Sequence, residues 1–168
     1  VDDKHHLIIE QDVTNQSNDK EELSKISKKA KQSLEADSLD VVADRGYYNG
    51  EEIKECEALN ITPYVPKPDS SSTKRRGLYP KEQFQYDPLR DCYICPAGEI
   101  LVYRYTAAKY PRRETRKHDQ HHYSTPACKT CASRSKCTTN KQGRFITRWV
   151  DEDILEEMAQ RIADNKEL

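Results

Sequence analysis

The sequence predicts an α/β fold, and the order of its apolar segments is the main reason. Residues 7–13, 39–44 and 61–66 are short apolar runs with strand composition. Between them, apolar residues recur at helical spacing over residues 19–36 and 50–59. Strands that alternate with helices usually pair in parallel through helical crossovers. The length of 168 residues suits one domain with an elaborated insertion.

Each predicted helix has a local signal. Leu23, Ile26, Ala30 and Leu34 lie on one side of the first helix, and lysines lie on the other. The second helix begins with a capping box, in which Asn49 is followed three residues later by a glutamate. Both helices therefore have one apolar side that a sheet can bury.

The end of the chain also predicts a helix. Asp151 or Asp153 begins it, and the expected inner face consists of Ile154, Leu155, Met158 and Ile162. Two prolines in residues 61–66 mark the preceding strand as an edge strand or as one that ends early.

The composition is polar. Apolar residues make up 35 % of the chain and charged residues 34 %, whereas globular proteins usually contain about 45–50 % apolar residues. No apolar run approaches the roughly 20 residues of a membrane span, and no signal-peptide pattern opens the chain. We expect a cytoplasmic protein without membrane contact. Because the chain opens at Val1 and stops near a helix end, we interpret it as the middle of a longer protein.

The net charge of −1 conceals a strong segregation. Residues 1–72 have a net charge of −7, residues 73–148 of +11, and residues 149–168 of −5. A basic block with interleaved tyrosines favours contact with nucleic acid, and a solvated lysine-rich loop is the alternative. The candidate DNA-binding residues are Lys74, Arg75, Arg76, Arg112, Arg113, Arg116 and Lys117.

Five of the six cysteines lie between Cys92 and Cys137. Two residues separate Cys92 from Cys95, and two separate Cys128 from Cys131, a spacing that lets paired thiolates face one tetrahedral ion. The odd count disfavours a fully paired disulfide framework, and unligated thiols are the other alternative. Because this region lacks the apolar residues for a core of its own, we expect a structural Zn²⁺ to supply its folding energy.

Turn residues decide which thiols are favoured as ligands. Pro96 and Gly98 follow Cys95 and allow the tight turn of a metal loop, whereas no such residues follow Cys92 directly. The favoured Zn²⁺ ligands are Cys95, Cys128, Cys131 and Cys137, with Cys92 as the alternative for one of them. The nearby histidines, which we expect to face solvent, are His118, His121 and His122.

Two other roles for cysteine are less favoured. A redox role for the Cys92–Cys95 pair is disfavoured because that motif normally opens a helix beside a strand. Cys56 lies alone in a predicted helix, and we expect it to be a small core residue.

An ordered set of segments resembles the DDE-type transposases of bacterial insertion sequences, in the branch whose catalytic domain carries a cysteine-bearing insertion. Residues 42–48, Val-Ala-Asp-Arg-Gly-Tyr-Tyr, resemble the segment around the second catalytic aspartate of that family. The other similar segments are residues 1–8, 13–15, 60–66, 84–87 and 93–101, followed by Cys128, Cys131 and Cys137.

The resemblance implies an RNase H-like fold. Residues 1–66 would form a partial catalytic core, with a mixed sheet and flanking helices, and residues 67–80 a linker. Residues 81–148 would be a basic, cysteine-rich, zinc-binding insertion, and residues 149–168 a helix that returns to the core.

The resemblance also implies metal-dependent cutting and joining of DNA at insertion-sequence ends. Two Mg²⁺ or Mn²⁺ ions held by two aspartates and a glutamate would activate the attacking oxygen and stabilise the leaving one. Only Asp44 can be assigned, as the second aspartate. Taken alone, Asp44 also fits a residue that starts a turn before Gly46. The implied partners are transposon ends and target DNA, and homo-oligomerisation of a full-length protein is left open.

The other two carboxylates of the family site are not identified. Asp2 and Asp3 precede a strand-like segment, but they match a non-catalytic stretch. The glutamates of the last helix, none of which has the basic and aromatic context of the family residue, are Glu152, Glu156, Glu157 and Glu167. A single carboxylate should hold metal poorly, so we expect this chain alone to be inactive. The alternative function is a zinc-stabilised, basic DNA-binding module without catalytic activity.

Overall fold

The computed structural model divides the chain into two compact units. The first unit comprises Val1–Asp69 and Asp151–Leu168, and the second comprises Ser70–Val150. The structure describes residues 1–2, 4–15, 19–69, 72–108 and 119–165. In chain order, the helices and strands are α1 (Leu23–Ser33), β1 (Leu39–Val42), α2 (Gly50–Ala58), β2 (Ile61–Tyr64), α3 (Ser72–Arg75), β3 (Gln85–Asp87), β4 (Cys92–Ile94), β5 (Ile100–Ala108), β6 (Asp119–Ser124), α4 (Arg134–Cys137), β7 (Phe145–Trp149) and α5 (Glu152–Asp164).

The first unit contains the predicted β–α–β arrangement. Strands β1 and β2 pair in parallel, from Leu39 opposite Ile61 to Val42 opposite Tyr64, and α2 connects them. Pro63 has no N–H to donate, which restricts β2 to sheet positions that do not need that bond. The α/β prediction is confirmed for this part of the chain.

One hydrophobic cluster holds the first unit together. Its buried members come from α1, α2, β2, the segment after β2, and α5: Leu23, Ile53, Cys56, Ile61, Val65 and Met158. Ile154, Leu155 and Ile162 pack against this cluster from α5, so the predicted inner face of the last helix is confirmed. Burial raises the pKa of the Cys56 thiol to about 12, as expected for an unreactive core cysteine.

The predicted strand over residues 7–13 is wrong, because this segment forms no strand. Leu7, Ile8 and Val13 of this segment are exposed, Val13 at 91 %. Side chains hold it near α1 instead: the Glu10 carboxylate accepts a hydrogen bond from Ser33 Oγ (3.1 Å), and Asp12 forms ion pairs with Lys25 and Lys29. The apolar composition suited a strand, but these side-chain contacts provide no backbone ladder.

The start of α2 also contributes to the start of α1. Asn49 is the N-cap of α2, and its Oδ1 accepts a hydrogen bond from the Glu51 N–H (3.2 Å). The predicted helix start is confirmed, but the cap bonds Glu51 instead of Glu52, the residue that a capping box uses. The buried Glu52 carboxylate accepts hydrogen bonds from the backbone N–H (3.1 Å) and the hydroxyl (2.8 Å) of Ser24. Glu52 therefore satisfies a donor in the first turn of α1, where a negative charge is favourable.

The second unit contains an antiparallel sheet in the order β3–β4–β5–β6–β7. It has its own buried cluster, formed by Phe84, Tyr93, Leu101, Tyr123 and Ile146. The expectation that this region lacks a core is therefore wrong. Tyr93 and Tyr123 are two of its five buried members, and aromatic side chains bury a large apolar area each.

A carboxylate anchors the tyrosines of this core. The Tyr123 hydroxyl donates a hydrogen bond to Asp91 Oδ1 (2.6 Å), and the Tyr86 hydroxyl donates to the same oxygen (2.9 Å). The Arg148 guanidinium lies 4.0 Å from the centre of the Tyr86 ring. These hydrogen bonds, chiefly the one from Tyr123, lower the pKa of Asp91. The charged form of Asp91 therefore stabilises the folded second unit.

Replacing Asp91 with asparagine should lower the free energy of unfolding by about 1–3 kcal/mol at pH 7, because two hydrogen bonds lose a charged acceptor. Since the folded pKa lies below the unfolded value, this stabilisation is present above about pH 4 and is lost as the pH falls through the folded pKa. Urea unfolding at pH 7 and pH 3 should show a smaller pH effect in Asp91→Asn than in the wild type. Equal acid sensitivity of the two proteins would contradict this role, and Asp119→Asn is the control.

No helix in the part of the chain that the structure describes is long and apolar enough to cross a bilayer.

Candidate functional site

Asp44 follows β1 and starts a turn. Its Oδ1 accepts a hydrogen bond from the Gly46 N–H at 2.6 Å, which caps the short 3₁₀ turn Arg45–Tyr47. A Cβ on Gly46 would lie 2.8 Å from this oxygen, so a larger residue there would require the Asp44 carboxylate to shift. The turn-initiating interpretation of Asp44 is therefore confirmed. Asp44 is also exposed beyond the end of a strand, where catalytic groups of α/β folds commonly lie.

A groove of about 840 Å³ in the first unit contains Asp44. Its carboxylates are those of Asp2, Glu10, Asp40 and Asp44, and no α5 glutamate lines it. Hydrogen bonding from the Leu7 N–H lowers the pKa of Asp2 and engages one oxygen of that carboxylate locally.

The described residues do not fit a two-ion catalytic site. Among them, no group of three or more His, Cys, Asp or Glu side chains is placed to hold a metal ion. Asp44 could supply one ligand, but a two-metal centre needs several converging carboxylates. Asp3 and Glu167, named above as candidate carboxylates, lie outside the described residues.

Four of the five cysteines of the second unit line one small cavity. Its volume of about 20 Å³ is close to that of one water-sized sphere. The cysteines around it are Cys95, Cys128, Cys131 and Cys137. They form no disulfides. These are the four favoured zinc ligands, and the fold brings them together from segments far apart in the sequence.

Local turns deliver each thiol to the cavity. The loop after β4 is closed by hydrogen bonds from the Cys95 N–H to the Glu99 carbonyl (2.9 Å) and from the Gly98 N–H to the Cys95 carbonyl (2.8 Å). Cys128 lies in a 3₁₀ turn, Pro126–Lys129, which is capped by the Thr125 hydroxyl. Cys131 follows this turn, and Cys137 ends α4.

A loop after α4 closes against Cys128. The Arg134 guanidinium donates hydrogen bonds to the carbonyls of Asn140 (3.2 Å) and Lys141 (2.7 Å). At Gly143, where φ is +102°, an added Cβ would lie 2.6 Å from Cys128 Cβ and 3.3 Å from its Sγ. Nothing in the sequence indicates this close approach, because a single glycine far along the chain carries no ligand spacing.

The thiols surround one space without forming a metal-binding group in the present conformation. Burial raises the pKa of the Cys137 thiol, and the neighbouring Arg144 opposes this rise. The other three cysteines raise that pKa further. Four soft sulfur donors around a space large enough for one ion suit Zn²⁺. Zn²⁺ binding would have to draw the sulfur atoms closer together and remove the thiol protons.

The alternative ligand, Cys92, and the two described histidines of this region do not line this cavity. Cys92 is buried in β4, opposite Val102 of β5, and it does not line the cavity. His121 packs on Tyr103, with ring centres 5.3 Å apart, and His122 stacks on a neighbouring tyrosine. His118 lies outside the described residues.

The basic candidates are described only in part. Lys74, Arg75 and Arg76 are exposed at the end of α3 and just after it, and Arg76 Nη2 donates a hydrogen bond to Thr139 Oγ1 (3.1 Å). The structure thus places a short helix in the predicted linker. The other candidates, Arg112, Arg113, Arg116 and Lys117, lie outside the described residues.

Comparison with known proteins identifies one family. Residues 94–167 match the family described as Transposase DDE domain. No curated protein and no solved structure is significantly similar to the chain. The match includes the four cysteines of the cavity and helix α5, but it does not extend to Asp44. The family implies DNA as a partner and a divalent metal. Residues 94–167, a little less than half of the chain, are therefore similar to the transposase DDE domain family.

Proposed function

We propose that this chain is part of a DDE transposase that cuts and joins DNA at insertion-sequence ends by metal-dependent phosphodiester chemistry. The observation that carries the proposal is the family match over residues 94–167. The charge distribution supports it, because residues 73–148 contain 17 Lys and Arg but 6 Asp and Glu residues. Such a block attracts the phosphate backbone and releases its counterions.

Within this proposal, Asp44 is the second metal-binding aspartate. Its support is its exposed position beyond β1 and its place in a groove with other carboxylates. Residues 1–93 lie outside the family match, so this role rests on the similarity of residues 42–48 to the family segment. We infer that the chain by itself is inactive, because the described residues assemble no catalytic metal group around Asp44.

The second candidate function is a zinc-stabilised, basic DNA-binding module without catalytic activity. Convergence of four cysteines on one cavity favours it. In this proposal, a structural Zn²⁺ fixes the loops around β4 and α4, and the surrounding basic side chains contact DNA. The two candidates share DNA binding and differ in catalysis.

DNA binding by the purified chain should weaken steeply as salt rises, with a log–log slope of about −0.9 for each phosphate bound in a duplex. Changing Lys74, Arg75 and Arg76 together to glutamine should make the slope shallower by about 1 for each phosphate that is no longer bound. Fluorescence anisotropy with a labelled duplex at several salt concentrations measures both effects.

The matched control changes Lys4, Lys20 and Lys28 of the acidic first unit to glutamine. This variant removes the same formal charge and should leave the slope nearly unchanged. Absent or salt-insensitive binding by the wild-type chain would contradict both candidate functions. Equal slope changes in the two triple variants would show that net charge, rather than the segment around α3, determines binding.

A further inference from the structure

The antiparallel sheet of the second unit has an outer face opposite its tyrosine core. Tyr103 pairs with Tyr123, and Tyr105 pairs with His122, so Arg104 is an extra residue in β5. The bulge at Arg104 changes the alternation of side chains, because one unpaired residue reverses the face of the residues that follow. Tyr103 consequently contacts the core tyrosine, whereas Tyr105 lies on the outer face.

Tyr105 and His122 form a flat aromatic pair on this face. Their ring centres are 4.6 Å apart, and the angle between their planes is 13°. Tyr105 is 50 % exposed, and His122 is half-buried beside it. A half-exposed ring held by a stacked neighbour is already oriented, so a further planar group could stack on it at little entropic cost.

The rest of the outer face is mainly apolar or neutral. Asp87 also lies on it by register and forms an ion pair with Arg90 (3.6 Å). By strand register, its other described members include Ile94, Ile100, Val102, Ser124, Phe145 and Thr147. Both Ile100 and Val102 are exposed, although the solvated face of an antiparallel sheet usually carries polar residues. Cys92 and Trp149, which share this face by register, are buried. Exposed apolar side chains grouped on the remaining part of the face are typical of an interaction site.

The charge around this surface favours a negatively charged partner. Asp87, at the β3 edge of this face, is paired with Arg90. Arg104 lies beside Tyr105, and its Nε donates a hydrogen bond to Ser124 Oγ (3.2 Å). The surrounding block has a net charge of +11. Aromatic rings beside positive charge match the bases and phosphates of an unpaired nucleic-acid strand. In a duplex, the stacked bases would not present their flat faces to these rings.

We propose that the outer face of β5 and β6 binds unpaired bases of single-stranded DNA. Tyr105 and His122 form the stacking surface, and Arg104 contacts the backbone. This inference rests on the proposed function, in that it names the form of DNA that this surface takes. It assigns base stacking to this sheet and leaves duplex backbone contacts to the basic side chains elsewhere in the chain.

The test compares Tyr105→Ala with Tyr105→Phe, using a labelled 20-nucleotide single strand and a duplex of the same sequence. Tyr105→Ala should weaken single-strand binding by about 5- to 150-fold, the range for loss of one stacked base, and duplex binding by less than about 2-fold. Tyr105→Phe should retain single-strand binding, because it retains the ring. Leu89→Ala, at a residue that is 97 % exposed in the β3–β4 turn, is the control and should bind like the wild type.

Equal losses for the single strand and the duplex, or no loss in Tyr105→Ala, would overturn the inference. Self-association of the wild type that Tyr105→Ala abolishes, with unchanged single-strand affinity, would also overturn it and would identify the face as a protein interface. If Tyr105→Ala fails to fold, His122→Ala provides the same comparison. Salt-dependent duplex binding without a Tyr105 effect would leave the proposed function intact, whereas a wild type that binds neither DNA contradicts both.

Discussion

Replacing Cys137 with alanine is expected to remove the bound Zn²⁺ completely, from about one ion per chain in the wild type to none. Cys137 lines the cavity with three other cysteines, and a tetrahedral structural site needs all four ligands. The second unit should also lose stability, because the binding free energy of a structural metal contributes to folding. Metal analysis after dialysis against zinc-free buffer and thermal unfolding measure the two effects.

Cys92→Ala is the matched control for this experiment. Both variants lose one thiol of the second unit, but Cys92 lies in β4 and does not line the cavity. Zinc content should therefore stay near one ion per chain in Cys92→Ala. Zinc loss in Cys92→Ala with retention in Cys137→Ala would reverse the ligand assignment. Absence of zinc from the wild type, with freely titratable thiols, would eliminate the site.

Replacing Gly143 with alanine should weaken zinc binding and destabilise the second unit by about 2–5 kcal/mol. The new methyl group would lie 2.6 Å from Cys128 Cβ, so the loop or the cysteine must move. Overpacking typically costs about 1–3 kcal/mol, and φ of +102° adds backbone strain of similar size for any residue but glycine. Competition with a zinc-binding dye and urea unfolding measure both effects.

Gly77→Ala is the control that separates the steric clash with Cys128 from the backbone strain of a positive φ. Gly77 also has a positive φ, of +67°, but an added Cβ would meet no atom within 4 Å. This variant should lose some stability and keep its zinc affinity. Unchanged zinc affinity in Gly143→Ala would show that Cys128 can move aside, or that it is not a ligand.

Sequence periodicity predicted the first unit well where helices and strands bury one face. The inner face of α5 and the parallel pairing of β1 with β2 follow from local patterns, because each element has to cover the same core. The predicted inner face of α1 is only partly correct: Leu23 is in the core, Ile26 and Ala30 line the groove that contains Asp44, and Leu34 is exposed. The strand predicted over residues 7–13 is not present. Their apolar content suited a strand, yet only the folded chain could show that Asp12 pairs with lysines of α1.

The second unit was harder to predict, for a different reason. Its core depends on Tyr86 and Tyr123, whose hydroxyls need a partner when buried, and that partner is Asp91 in the β3–β4 turn. No local sequence pattern indicates that the Tyr123 hydroxyl will bond a carboxylate 32 residues away. The cysteine cavity was easier to predict, because the two-residue spacing between Cys128 and Cys131 is visible in the local sequence. Whether its thiols bind zinc remains a prediction.

The extra residue in β5 also has a consequence for changes in chain length. Removing Arg104 would restore regular pairing and keep Tyr103 on the core side and Tyr105 on the outer side. Removing one residue from a regularly paired stretch of β5, such as Val102, would turn the β5 side chains on one side of the deletion to the opposite face of the sheet. Arg104 is therefore the position in β5 at which a one-residue deletion should be tolerated, and relatives with a shorter strand should lack the residue there.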